Sequence, residues 1–343
     1  MNKNIVNKLL ILRMSGIGPV KYANLVDKFG SVDAVVAAMD IKDDYRDMVL
    51  REIDMAESLK IRFVSDDEPE YPQNLKVIKN HPPVICVRGN IDTLKQKNFV
   101  AMVGTRHASI TGMQFMSNLA ENFAENSVVV VSGLAIGTDT AAHLGALHGT
   151  GNTQTIAVVA GGVDYIWPLE NEKLYWDIVE RGAIISEMPV GFVPKTTNFI
   201  QRNRWVAGLA DYLVLGEADL NSGSMATAKF ESEYGRTVWA IPSHPADERS
   251  QGPNSLIADG KAKLCRGFTD FFQKVEKNNQ KKLKNNELSD LENLIIDALG
   301  SVPVSESVLA EVVKKNISEI KGVLVMLELR GIIRRQDGGY VLN

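Results

Sequence analysis

Val128-Val129-Val130-Val131-Ser132-Gly133-Leu134-Ala135-Ile136-Gly137-Thr138-Asp139 begins with four consecutive valines, turns through two glycines and runs into a helical stretch at 140–148. A short apolar run with no polar alternation reads as a strand buried on both faces. The pattern recurs on either side. Strands are predicted at 99–103, 128–131, 155–160, 183–186, 212–215 and 237–241, with helical stretches such as 112–125, 140–148 and 225–234 between most of them. Strands alternating with helices over 84–275 predict an α/β fold, a parallel sheet with helices on both faces.

The flanks read differently. Residues 1 to about 65 look helical, and a Gly16-Ile17-Gly18-Pro19 turn inside them is that of a helix-hairpin-helix or of a plain tight helix connection. Residues 68–83 carry Pro72, Pro82 and Pro83 and are expected to be a linker or edge segment. A lysine-rich polar run near 275–288 reads as a second linker. Beyond it, helical patterns at 290–299, 305–314 and 317–330 precede an alternating segment around Asp337-Gly338-Gly339, the pattern of three helices and a hairpin, hence a winged helix. The resulting division is 1–68 helical, 69–275 core, 276–288 linker and 289–343 winged helix.

At 343 residues with 45% hydrophobic and 23% charged residues, the composition is that of an ordinary soluble protein of two or three domains. The two cysteines, Cys86 and Cys265, are far apart, so a disulfide framework is not expected and a reducing, cytoplasmic setting is. No zinc spacing, signal peptide or membrane span is read, and neither metal nor cofactor is expected. A net charge of -4 excludes nucleic-acid binding by bulk charge but leaves room for a local basic cleft. Residues 287–343 hold more acidic than basic residues, which favours a protein-contact or structural role for the winged unit.

In an open parallel sheet, ligands bind beyond the carboxyl ends of the strands. Four glycine-containing turns are predicted there: Gly104-Thr105-Arg106, Ser132-Gly133 onward to Asp139, Gly161-Gly162, and Asn221-Ser222-Gly223-Ser224. Glycine lets a ligand approach the backbone, and helix N-termini offer N–H groups to an anion. Arg106 adds a planar fork suited to phosphate. Lys195 and the stretch Asn198-Phe199-Ile200-Gln201-Arg202-Asn203-Arg204 combine cations with an aromatic platform, as a single-stranded nucleic acid requires. The spacing is neither GxGxxG nor GxxxxGK[ST], so a dinucleotide or Walker-type site is poorly supported. Catalytic groups are scarce. His107, His143, His148 and His244 lack patterned partners, Asp139 is expected to cap a helix, and Glu187 and Glu217 are the candidate general bases.

The segments Gly104-Thr105-Arg106, 132–147, 161–171, 182–191, 198–218 and 222–243, in this order, resemble the DprA/Smf family of bacterial DNA-processing proteins. The resemblance implies a Rossmann-like core, a SAM-like N-terminal helical domain and a C-terminal winged helix. It also implies a non-enzymatic role in natural transformation: binding and protecting incoming single-stranded DNA and helping to load RecA recombinase. Carried over by motif, Arg106 would contact phosphate, Phe199 would stack a base, and Lys195, Arg202, Asn203 and Arg204 would line the same pocket. The glycine turns at Gly104, Thr105, Ser132, Gly133, Ser222, Gly223 and Ser224 would complete it. A homodimer is implied through the end of the core, at Asn254, Ile257 and Leu264. Ile136, Leu169 and Gln251 depart from residues common in the family, and Lys261 looks like an insertion. Two alternatives stand beside this reading. One is a nucleoside-monophosphate phosphoribohydrolase-like enzyme on a related scaffold, whose PGGxGTxxE signature is absent. The other is a winged-helix regulator reading duplex DNA.

Overall fold

The protein is described here from a computed structural model, in which residues 3–39, 41–149, 155–271, 289–299, 304–336 and 339–342 are defined. They fall into two compact units, one within Met1–Asp270 and one within Phe271–Asn343.

The larger unit is built on nine strands: β1 (Ile61–Ser65), β2 (Val84–Gly89), β3 (Phe99–Val103), β4 (Val129–Ser132), β5 (Thr155–Val158), β6 (Ala183–Ser186), β7 (Tyr212–Leu215), β8 (Thr237–Ala240) and β9 (Lys263–Leu264). They form one sheet in the order β1-β2-β6-β5-β4-β3-β7-β8-β9. From β6 to β9 every pairing is parallel, while β1–β2 and β2–β6 are antiparallel. The sheet is therefore mostly parallel, as the apolar runs predict. All five residues of β3 are buried, which is why its sequence shows no alternation.

The helices are α1 (Lys3–Leu12), α2 (Pro19–Phe29), α3 (Val32–Ala38), α4 (Asp43–Ser58), α5 (Gln73–Lys76), α6 (Ile110–Glu125), α7 (Thr138–His148), α8 (Glu172–Arg181), α9 (Thr196–Leu209), α10 (Gly223–Glu233) and α11 (Gln251–Ala258). Adjacent strand residues feed opposite layers. Ile156 and Ile185 pack with Trp205, Val206 and Leu209 of α9 on one face. Ala157 and Ile184 pack with Leu174, Tyr175 and Ile178 of α8 and with Leu9 and Leu10 of α1 on the other.

Two expectations are corrected. Residues 61–65 continue the helical reading in sequence but form β1, which pairs with β2 at the sheet edge. The proline-punctuated stretch 68–83 packs against the core: Tyr71 is buried with its hydroxyl donating to Pro82 O at 2.7 Å, and Leu75 of α5 is buried. The prolines set turns there without freeing the chain.

Glu231 of α10 is fully buried, and neither carboxylate oxygen has a hydrogen-bond partner. Burial pushes its carboxyl up to about 8, with Arg236 opposing. A folded value above the unfolded one means the folded chain holds this proton more tightly. Stability is then complete below the ordinary carboxylate range and falls as pH rises toward 8, by up to about 1.4 kcal/mol per pH unit. Glu231→Gln is expected to raise Tm relative to the wild type at pH 8 and hardly at pH 5. Equal shifts at both would mean that Glu231 does not ionise on unfolding.

The smaller unit has helices Asp290–Ala298, Glu306–Val312 and Ile317–Leu329 and a hairpin of β10 (Ile333–Gln336) and β11 (Gly339–Leu342), with a bridge from Val304 to Tyr340. Ile295, Leu309, Leu324, Ile333 and Tyr340 form its core. The expected linker at 276–288 and the Asp337-Gly338 turn lie outside the described residues.

Candidate nucleic-acid interface

Strands β4, β5 and β6 step away from β3 on one side, and β7 and β8 step away on the other. This reversal leaves a crevice beyond the carboxyl ends of β3, β4 and β7, where open α/β sheets place ligands. A cavity of about 410 Å³ occupies it, lined by residues that include Gly104, Thr105, Arg106, Gly133, Phe199, Asn203 and Ser222–Ser224.

Arg106 and Phe199 set its character. The Arg106 guanidinium carbon lies 5.2 Å from the Trp167 ring centre and 5.9 Å from that of Phe199. The two rings meet edge to face at 4.5 Å. Arg106 is exposed, and none of the ion pairs among the described residues involves it. The cation is therefore held over aromatic faces by the ring quadrupoles with its fork free to meet an anion. Trp167 was missed by sequence reasoning, although Trp-Pro directly after a glycine turn was a visible signal.

The far wall is the N-terminus of α10. Ser222 is its N-cap but makes no capping bond; its hydroxyl instead pairs with Ser224 Oγ at 2.9 Å. Asn203 Nδ2 donates to Gly223 O at 3.1 Å, tying α9 to this turn. The first-turn N–H groups thus lack a side-chain cap, and the positive end of an eleven-residue helix faces the cavity.

Arg202 lines the cavity as expected, but its guanidinium is turned inward and engaged. It is buried, and its Nη1 donates to Gly133 O at 2.6 Å and also to Val158 O. A Cβ on Gly133 would stand 2.6 Å from this guanidinium, so any side chain there would push Arg202 off the carbonyls it holds. Asp139 closes the same turn, accepting from Gly133 N at 3.1 Å and Ala135 N at 3.3 Å. It caps the turn between β4 and α7, and the N–H groups expected to face a phosphate there are already taken. Burial raises the Asp139 carboxyl, with Arg202 opposing, and burial pulls Arg202 down to about 10, still charged at neutral pH. His143 next to them donates or accepts at Thr155 Oγ1 and is pushed by burial down to about 3, hence neutral.

Other expected residues fall elsewhere. Ser132 is buried and its hydroxyl donates to Met102 O at 2.6 Å, so it does not reach the cavity. Arg204 turns away: it pairs with Glu187 at 3.2 Å, lies over Trp205 and lines a different cleft. Lys195 is exposed and sits just before Thr196, a lining residue. The Gly161-Gly162 turn is covered, with Gly162 N donating to Phe192 O at 2.9 Å. The candidate bases are both engaged. Glu187 holds Arg204, and Glu217 accepts from Ser109 N at 2.6 Å and Ser109 Oγ at 2.5 Å, fixing the start of α6. Neither lines the strand-end cavity. At the expected dimer contact, Asn254 spends its amide on Ser243 (Nδ2 to O at 2.9 Å), Ile257 packs half-buried on the core, and Leu264 stays 41% exposed on the edge strand β9. Among the described residues no acidic, His or Cys cluster could hold a metal, and no helix is long and apolar enough to cross a membrane.

The chain belongs to the DNA recombination-mediator protein A family, whose model matches residues 62–276; the model of the DprA winged helix domain matches residues 280–339. Among its relatives, Protein Smf of Synechocystis is 36% identical over 202 residues, 58% of this chain, and the match spans half of that protein's length. Among solved structures, DNA processing protein A of Streptococcus pneumoniae superposes with a TM-score of 0.67 at 29% identity, covering 83% of this chain and 99% of that one. DNA processing protein A of Helicobacter pylori, whose structure gives insight into a single-stranded DNA binding mode, superposes at 0.58 and 29% identity over 64% of this chain and 97% of that one.

Proposed function

We propose that this protein binds single-stranded DNA across the strand-end cavity and acts as a recombination mediator. It protects incoming strands during natural transformation and helps to load RecA recombinase onto them, in the cytoplasm. The observation that carries the reading is Arg106, a cation without a carboxylate partner among the described residues, set over Trp167 and Phe199. A phosphate meets the guanidinium while an unpaired base reaches the aromatic rings, which is possible for a single strand and not for a stacked duplex. Lys195 at the rim adds long-range attraction. Asn203, Gly104, Thr105 and the Ser222–Ser224 turn shape the wall.

The active species is a homodimer that uses the β9 edge, where Leu264 is exposed; sedimentation velocity measures the mass directly. The winged unit serves protein contact. Val308, Val312, Val325 and Met326 are each about half exposed on its helices, where a duplex reader would carry cations.

Fluorescence anisotropy with matched single-stranded and duplex oligonucleotides tests the reading. We expect preference for the single strand and a steep loss of affinity with salt, since each neutralised phosphate releases counterions. Equal affinity for both forms, or a flat salt response, would overturn it.

A further inference from the structure

Arg106 is carried on the connection 104–109 between β3 and α6. Its side chain makes no ion pair among the described residues and rests on the faces of Trp167 and Phe199. Where its guanidinium stands is therefore decided by the backbone that carries it.

One residue grips that backbone on both sides of Arg106. Glu217, just after β7, accepts from Thr105 N at its main-chain O, at 2.6 Å. Its carboxylate accepts from Ser109 N through Oε2 at 2.6 Å and from Ser109 Oγ through Oε1 at 2.5 Å. The connection is also held from α7. Thr138 donates to Thr105 O from its N at 3.2 Å and from its Oγ1 at 3.1 Å. Gly137 lies directly against it: its φ is +81°, and a Cβ there would stand 2.6 Å from the carbonyl oxygens of both Thr105 and Arg106.

The carboxylate of Glu217 is not explained by the start of α6 alone. Ser109 already caps that helix, its Oγ accepting from Gly112 N at 2.9 Å. Glu217 is buried, and a buried carboxylate is costly unless hydrogen bonds satisfy it. What its two oxygens add is a tie between Ser109 and the end of β7, which closes the connection into a loop fixed at both ends.

We propose that Glu217 is a positioning residue for strand binding: by holding Thr105 and Ser109 it sets Arg106 against the aromatic rings before the strand arrives. The inference rests on the reading of Arg106 as the single-strand anchor. A loop fixed in advance spares the ordering that a free one undergoes on binding. Without the carboxylate, the Thr105 end stays bonded and the Ser109 end comes loose, so the guanidinium samples positions off the rings.

The test is a double-mutant cycle with Arg106. Oligothymidylate binding by the full chain is read by anisotropy at low salt, where the Arg106→Ala protein still binds. Glu217→Ala is expected to weaken binding roughly three- to tenfold when Arg106 is present. In the Arg106→Ala background it should change nothing, because a residue that acts through Arg106 then has nothing left to position. Glu217→Gln keeps an acceptor for Ser109 N, and the Ser109 hydroxyl can turn to accept from its amide, so this variant should recover most of the affinity. Ser109→Ala removes one of the bonds and should cost about two- to fourfold with the same dependence on Arg106; it carries the test if Glu217→Ala does not fold. An equal loss with and without Arg106 would make Glu217 a merely structural residue and overturn the proposal, as would unchanged binding by Glu217→Ala. If Arg106→Ala binds like the wild type, or the wild type binds no oligomer, the parent reading itself has failed.

Discussion

Replacing Arg106 with alanine is expected to weaken single-strand binding at least about tenfold at moderate salt while lowering Tm by no more than about 2–4 °C. The two halves of this result have separate causes. Arg106 is exposed and touches its neighbours through the faces of Trp167 and Phe199 alone among the interactions described above. Losing it removes a cation–aromatic contact worth about 0.5–1 kcal/mol at an exposed site, partly regained by tighter packing of the rings. The ligand loses more: a charge-assisted contact to phosphate and the cation that holds the aromatic platform open to a base. Arg106→Lys keeps the charge but not the planar fork and should recover part of the affinity. Normal binding by the alanine variant in an anisotropy titration would remove the anchor from this cavity.

Arg202→Met is expected to do the reverse and act on the fold first. The guanidinium satisfies Gly133 O and Val158 O, the carbonyls at the ends of neighbouring strands, and it offsets the buried Asp139 carboxylate. Methionine fills the volume and leaves these groups without a donor. Uncompensated buried charge and acceptors cost about 3 kcal/mol, which for a unit of this size is roughly 6–12 °C in Tm. Binding then falls because the Gly133 turn is no longer held against β4. Calorimetry separates the two arginines: a loss of affinity at unchanged Tm for Arg202→Met would make it a direct contact after all.

This contrast marks what could be read from the sequence. The parallel strands were legible because a strand buried on both faces is a continuous apolar run, as in Phe99–Val103 and Val129–Ser132. β1 and β2 were not: Ile61-Arg62-Phe63-Val64-Ser65 interrupts its run with an exposed arginine, and β2 follows two prolines. α9 gives only a weak helical pattern because both of its flanks line clefts, so no single apolar stripe forms. Arg106, Phe199 and Asn203 could be placed from motif and topology. The sequence reading grouped Arg204 and Ser132 with them and left open that Arg202, which does line the cavity, spends its guanidinium inward, since a local stretch does not encode which way a side chain turns. Ser132 points under the sheet, Arg202 into the core and Arg204 to Glu187. In each case long-range acceptors, 30, 69 and 17 residues away, decide the outcome.

The antiparallel pair β1–β2 bears on how the gene can be cut. The division at residue 68 suggested by the helical flank would remove β1 and strip Val84–Gly89 of its partner, from Ile61–Arg88 to Ser65–Val84. A recombinant core begun there would carry a bare, apolar sheet margin, Val84, Ile85, Cys86 and Val87 all being buried in the intact chain. Such margins recruit strands from other molecules, and the excised piece would self-associate through a surface that the whole protein never displays. An oligomer of that piece larger than the one the whole protein forms would report the cut, not the protein.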